Sequence, residues 1–342
     1  YKEGYFKQRI DELGNQSETY PRFDPKPKLR LLSNKLVIPL REKKVIMEVY
    51  EYQYSGLEGN KISIYFLDTD IKENLEEDRI ISLRLYSGNK DHRILQEAIL
   101  GFGGVQLLEE LGYNDIKTYH MNEGHCSFLT LALLEKYNGN EEKVRSLCHF
   151  TTHTPVPAGH DQFSIDRCRK LLGNLLPQKL NLPSWNSVNR LHMTELGLSY
   201  SRSANGVSKL HGSVARDQFP KNTIDYITNG IYHPYWLGDS FKNLFDDKIS
   251  DWQTNPKLLL NLQNISNDDL FLAHQAQKYA LIEYVNSQTN KAFSENVLTI
   301  GFARRAAEYK RAKLVFSDIE RLKKLGTNKI QIIFSGKAHP KD

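Results

Sequence analysis

The chain reads as an α/β protein built on parallel sheets, and three observations carry that reading. Strand-like and helix-like segments alternate from residue 117 onward, the strand-like ones run into polar or glycine-containing turns, and the pattern restarts after Trp236. Lys117–Met121 is an expected strand, Cys126–Tyr137 a helix and Leu147–Thr152 a strand. Met193–Ser203 is an expected helix, with short strands at Gly206–Lys209 and Ile224–Thr228. In the second set, a helix over Asp268–Asn286 precedes the strand Val297–Phe302, the helix Glu308–Leu325 and the strand Ile330–Phe334. The boundary is placed near residues 232–240, giving domains 1–235 and 236–342. The second stops just past a strand with no covering helix and is expected to be incomplete.

Upstream of this alternation the first forty residues are polar and extended, punctuated by Pro21, Pro25 and Pro27. Val45–Tyr54 and Lys61–Leu67 are expected to form a hairpin about a turn at Gly56–Asn60, with Ile62, Ile64 and Phe66 alternating. Arg93–Leu111 carries apolar residues at helical spacing, and Gly112 stands where a C-terminal cap belongs. The run Gly101–Gly104 lies inside that helical pattern with no strand before it, which excludes a phosphate-binding loop.

A chain of 342 residues with 39% hydrophobic and 25% charged residues falls in the globular class, and its length favours two domains. The formal net charge of +5 suits an anionic ligand such as phosphate. No basic run interleaves with aromatics, so nucleic acid is not an expected partner. The 18 Tyr and 15 Phe are compatible with sugar stacking, though burial accounts for most of them. Three cysteines without a Cys-x-x-Cys pair argue against a disulfide scaffold or a zinc ribbon. With no signal peptide and no apolar run of membrane-spanning length, no membrane association is expected and the cytoplasm is the expected compartment. The chain opens at YKEGYF without an initiator Met, which leaves its true amino terminus open.

Four stretches hold residues suited to chemistry. In GFARRAAEYKRAKL (Gly301–Leu314) a strand feeds into Arg304 and Arg305, and a helix carrying Lys310 and Arg311 is expected to follow. Cations beyond a strand's carboxyl end, beside a helix amino terminus, suit a phosphoryl group. A solvated basic face explains the same residues. In HFTTHTPVPAGH (His149–His160) a strand ends at His153, whose imidazole there suits a sugar hydroxyl or proton transfer. Zinc on His149, His153 and His160 is disfavoured, because residues four apart on a strand do not converge. In YHMNEGHCSF (Tyr119–Phe128) Asn122 and His125 lie at a strand-end turn, and Glu123 is explained by the dipole of the helix that follows. In ITNGIYHPYWL (Ile227–Leu237) Asn229 and Gly230 mark a turn with positive φ, and the Asn229 amide suits a sugar hydroxyl.

These stretches, in this order, resemble the α-glucan (glycogen, starch and maltodextrin) phosphorylases, in particular the shorter bacterial and archaeal type. GYFKQRIDELGNQ at the start, YFLDTDIKENLEEDRIISLRLYSG, HMNEGHCSF, TTHTPVPAGHDQF, ANGVSKLHGSVAR, TNGIYHPYWL, GFARRAAEYKR and FSGKAHPKD all carry the likeness, which spans almost the whole chain. The resemblance implies two Rossmann-like domains of the GT-B glycosyltransferase type, the second truncated, and a pyridoxal 5'-phosphate cofactor. It implies removal of terminal glucose from an α-1,4-glucan or maltooligosaccharide by inorganic phosphate, releasing glucose 1-phosphate with retention. Matched residue by residue, it puts Arg305 and Lys310 on the substrate phosphate, with Tyr309 in the same motif, and Arg304 on the cofactor phosphate. It puts His153 and Asn229 on the glucose 6-hydroxyl, with Asn122 and His125 at the turn beside the sugar. The family's amino-terminal glycine loop and its cofactor-bearing lysine are expected outside Tyr1–Asp342. The isolated chain is therefore expected neither to hold the cofactor covalently nor to turn over. A sugar-nucleotide-dependent glucan synthase and a non-catalytic glucan-binding fragment remain alternatives, and homo-oligomerisation is left open.

Overall fold

The computed structural model describes residues 2–3, 6–84, 89–326 and 329–338. The chain is mixed α/β with a parallel sheet, and it divides into two compact units. One comprises residues 1–6 and 20–229, the other residues 7–19 and 230–342. The hairpin of β1 (Lys7–Ile10) and β2 (Gln16–Thr19) thus belongs with the C-terminal residues, a placement for which the sequence carries no local signal.

The first unit opens with an antiparallel sheet of three strands, β3 (Arg30–Leu40), β4 (Lys43–Ser55) and β5 (Lys61–Asp68). Alternate residues Leu36, Ile38 and Leu40 of β3 and Val45, Met47 and Val49 of β4 face the core and are essentially fully buried. β3 replaces part of the extended stretch expected over the first forty residues. Its Pro39 is tolerated because β3 is an edge strand. In β5 the alternation of Ile62, Ile64 and Phe66 marks the strand correctly, yet these side chains are exposed, Ile62 at 65%.

The parallel sheet has four strands in the order β11–β10–β7–β6, comprising β6 (Tyr119–Asn122), β7 (Cys148–Thr152), β10 (Ser203–Gly206) and β11 (Asp225–Tyr226). Between them in sequence, β8 (Gln162–Ser164) and β9 (Arg190–His192) form a separate antiparallel pair. The core packs on one face of the parallel sheet, through Tyr119, Met121, Cys148 and Phe150, against Phe128, Leu131 and Leu196. The strand expected at Gly206–Lys209 falls earlier, because Ser208 instead caps the helix Lys209–Gln218 by accepting from the His211 N–H.

The expected helix over Arg93–Leu111 is a composite. An α-helix over Lys90–Ala98 passes through one π-helical turn, Ile99–Gly103, into Gly104–Glu110, and Gly112 ends it at φ +81°. The GFGG run is thus helical. Its Gly101 lets this helix approach the start of Phe128–Lys136, since a Cβ there would lie 2.6 Å from the Leu129 nitrogen and 2.6 Å from the Phe128 Cβ.

In the second unit, Phe245, Ile249, Trp252 and Ile265 form a small core. The 23-residue helix Asn267–Thr289 follows, and β12 (Leu298–Ala303) then pairs in parallel with β13 (Ile330–Ser335). That helix exposes Phe271, Leu272, Tyr279 and Tyr284, and the strand pair exposes Leu298 and Phe334. The helix expected over Glu308–Leu325 is broken. Two 3-10 turns, Glu308–Lys310 and Ala312–Phe316, precede a short helix Ile319–Leu325, because Arg311 turns left-handed at φ 55° and Asp318 caps a fresh helix. No described helix is long and apolar enough to cross a membrane.

Gly101→Ala places a methyl group against backbone, where neither partner can yield by a rotamer change. Overpacking of this kind costs about 1–3 kcal/mol. The variant is expected to unfold at clearly lower denaturant concentration with an unchanged m-value, and an unchanged midpoint would refute the close approach.

Candidate functional site

The parallel register brings four strand ends to one level. Asn122 pairs with Thr151, Thr152 with Gly206, and Gly206 with Tyr226. The residues just beyond them, His153 after β7 and the turns after β6, β10 and β11, therefore lie along the carboxyl edge of one sheet, where ligands bind in α/β folds. The Asn229 N–H donates to the Val207 carbonyl (3.1 Å), which fixes the segment carrying Asn229 beside the β10 turn. Asn229 and Gly230 do not adopt the expected positive φ. The side chains of Asn122, His153 and Asn229 are exposed, and His125 is half-buried.

The sheet face opposite the core is polar, which sequence reasoning missed. His149 bonds Ser203 Oγ through Nδ1 (2.7 Å) and Asn205 Oδ1 through Nε2 (2.7 Å). Thr151 Oγ1 donates to Asn205 Oδ1 (2.9 Å), and His120 Nε2 lies 2.7 Å from Thr151 Oγ1. The alternation of His120 and Asn122 with buried Tyr119 and Met121 is the signal that could have found it. His160 is committed elsewhere, to Thr194 Oγ1 and Gln218 Oε1. Among the described residues no group of three His, Cys, Asp or Glu could hold a metal ion.

Glu123 caps the helical turn Gly124–Cys126 as its position suggested, but that is the smaller part of what its carboxylate does. Its backbone sits at φ 75°, ψ 169°, a region populated essentially by glycine, at a cost of about 1–3 kcal/mol. Its carboxylate also reaches across to the end of β7. Oε1 accepts from the backbone N–H groups of His153 and Thr154, the latter at 2.8 Å, and from the Thr154 (2.9 Å) and Thr152 (3.2 Å) hydroxyls. Oε2 accepts from the Gly124 N–H (3.0 Å). Although burial opposes the charge, the His153 and Gly124 N–H groups and the Thr154 hydroxyl bring the carboxyl below its ordinary value.

Beside this edge, His125 lines a cavity of about 590 Å³ together with Arg93, Gln96, Glu97 and apolar side chains such as Leu100 and Leu108. Arg93 bridges Glu97 (3.0 Å) and Asp161 (3.1 Å). Burial, and then Arg93, push the His125 imidazole below its ordinary value, which keeps it neutral. Burial pushes the Glu97 carboxyl well up, and Asp161 adds to the shift, while Arg93 opposes it. The three cysteines are free thiols. Burial raises Cys126 to about 11 and both Cys148 and Cys168 to about 12.

The second unit carries the cations. Arg304 and Arg305 follow β12 directly, exposed. Arg305 Nη2 lies 3.5 Å from the Tyr309 hydroxyl, and the Lys310 ammonium sits 4.7 Å from the Tyr309 ring centroid, so Tyr309 contacts both cations. Among the described residues, no carboxylate forms an ion pair with Arg304, Arg305 or Lys310. The expected α-helix does not follow them, so no helix dipole assists. The loop is instead held by its neighbours. The Arg304 N–H donates to the Ser335 carbonyl (3.0 Å) and the Ala306 N–H to the Lys337 carbonyl (2.9 Å). A Cβ added at Gly336 would overlap the Arg304 carbonyl oxygen. Gln8 of β1 grips Ala338 from the other side, accepting from its N–H (3.0 Å) and donating to its carbonyl (3.2 Å).

Residues 176–342 match the family of carbohydrate phosphorylases. The whole chain aligns at 35% identity with 46% of a maltodextrin phosphorylase of Thermococcus litoralis. It also aligns over its whole length, at 31% identity, with 46% of a glycogen phosphorylase of Mycobacterium tuberculosis and 56% of one from Aquifex aeolicus. The chain is similar over its whole length to these maltodextrin and glycogen phosphorylases. It spans about half the length of the curated relatives it matches.

Glu97 offers a test of the buried cluster. Unfolded, its carboxyl ionises from its ordinary value of 4.5, while the fold holds the proton to higher pH, so its contribution to stability is lost as pH rises. Gln resembles the protonated acid and escapes this loss. Glu97→Gln is expected to melt above the parent at about pH 8, with the gap closing toward about pH 4.5. A gap that widens on acidification would contradict the assignment.

Proposed function

We propose that these residues belong to an α-1,4-glucan phosphorylase, which transfers terminal glucose from a glucan or maltooligosaccharide to inorganic phosphate and forms glucose 1-phosphate with retention. The observation that supports this reading best is that each unit, taken by itself, places polar groups at the ends of parallel strands. One unit offers imidazole and amide groups, and the other offers cations with no carboxylate partner among the described residues. On this reading the two units belong to two Rossmann-like domains of the GT-B type, the second incomplete.

His153 and Asn229 bind the 6-hydroxyl of the terminal glucose, and Asn122 and His125 line the same subsite. Imidazole and amide groups suit this task, because each can both donate to and accept from a hydroxyl. Arg305 and Lys310 position the attacking phosphate, and Tyr309 contacts both. The phosphate is the nucleophile, so its orientation lowers the barrier, and its negative charge stabilises positive charge developing at the anomeric carbon. Arg304, pinned through its backbone to Ser335 with its guanidinium exposed, fits the phosphate of pyridoxal 5'-phosphate. When bound, that cofactor supplies a phosphate group able to exchange protons with the substrate phosphate. No lysine of this chain is assigned to its aldehyde.

Inorganic phosphate titrated against the chain and followed by ³¹P NMR tests the cation half. Arg305→Ala and Lys310→Ala are each expected to weaken binding about tenfold or more, the scale of a charge-assisted hydrogen bond. Arg311→Ala, on the same segment, should leave it unchanged. A polypeptide carrying these residues that ignores phosphate but consumes a nucleoside diphosphate glucose would place the protein among glucan synthases. Glucan binding without turnover would reduce it to a carbohydrate-binding role.

A further inference from the structure

Glu123 combines two features that packing does not explain. Its backbone adopts a conformation that other side chains avoid, whereas Asn189, Asn290 and Arg311, also at positive φ, sit in the ordinary left-handed region. A glycine would fill the position without strain, so the side chain is retained for what it does. What it does is concentrated on one short segment. A single carboxylate oxygen collects two backbone N–H groups and two hydroxyls from Thr152, His153 and Thr154. The peptide on the other side of Glu123 is tied to the same strand, since its N–H donates to the Thr151 carbonyl (2.9 Å). The turn after β6 and the chain leaving β7 are thus locked together through one residue, and His153 is the residue so locked.

We propose that Glu123 is a positioning residue whose strained backbone and four-donor carboxylate clamp residues 152–154 and so aim the His153 imidazole at its sugar hydroxyl. The sugar part rests on the function proposed above, but the clamp itself does not. His153 is exposed and follows the last residue of its strand, so its own surroundings do little to hold it, and the order must come from the backbone beneath it. A charged acceptor is suited to this because one oxygen can serve several converging donors, whereas a neutral amide oxygen serves them weakly. Below the folded-state value of Glu123, itself lowered from the ordinary 4.5, protonation releases the clamp.

The test compares the parent chain with Glu123→Gln, Glu123→Gly and His153→Ala, using amide hydrogen exchange read by NMR and maltoheptaose titration. In Glu123→Gln the amides of His153 and Thr154 are expected to exchange at least about tenfold faster, while Phe150 and Ala204 stay protected. Glu123→Gly removes the strain and is expected to melt no lower than Glu123→Gln, yet to lose the same protection, a combination that a purely structural residue would not give. Affinity for maltoheptaose should fall in Glu123→Gln, and the double variant with His153→Ala should bind no more weakly than His153→Ala alone. Unchanged exchange at His153 and Thr154 in Glu123→Gln overturns the clamp. Additive losses in the double variant overturn its action through His153. Unchanged affinity in His153→Ala removes the glucan reading instead, and the exchange data then decide the clamp by themselves.

Discussion

Strand β7 is paired in parallel along both edges, with β6 through residues 148–151 and with β10 through residues 149–152. This double pairing is the constraint from which the first unit takes its form. Both neighbours run in the same direction, so their carboxyl ends arrive together, and every chain that leaves the sheet does so at one edge. The residues proposed for sugar binding share no local sequence context. They share only this edge, and a shift of one residue in the β7 register would scatter them while turning Phe150 out of the core.

Much of this edge was legible from the sequence because its signals are local. A short apolar run ending in Thr-Thr-His-Thr-Pro reads as a strand that stops, and Asn122-Glu123-Gly124 reads as a break between strand and helix. The failures share one physical origin, which is that capping and backbone handedness decide boundaries that composition cannot. Ser208 takes the His211 N–H and converts an expected strand into the first turn of a helix. Arg311 turns left-handed and interrupts what periodicity alone makes continuous from Glu308 to Leu325. The role of Glu123 was illegible because its partners lie about thirty residues away, across a strand pairing that sequence spacing does not encode.

The second unit shows the complementary case. Its cations are where the strand pattern put them, but they are ordered by distant chain and not by a helix. Gly336 admits the Arg304 carbonyl, and Gln8 holds the far side of the same loop. The GFARR and FSGKA segments look like separate motifs in the sequence. They are one structural unit joined by β12 and β13, with the amino-terminal hairpin as its third part. The apolar side chains left exposed on Asn267–Thr289 and on the strand pair are those that a parallel sheet ordinarily covers with further layers.

The buried thiols have a practical consequence. With Cys148 and Cys168 raised to about 12 and Cys126 to about 11, almost no thiolate exists in the native state at neutral pH, and alkylating reagents or oxidants meet an inert surface. Cys148 lies in β7 and Cys168 in the helix Ile165–Leu172, and both are buried in the first unit's core. Their appearance to a thiol reagent therefore clocks the opening of the first unit's interior, a native chronometer that needs no introduced label.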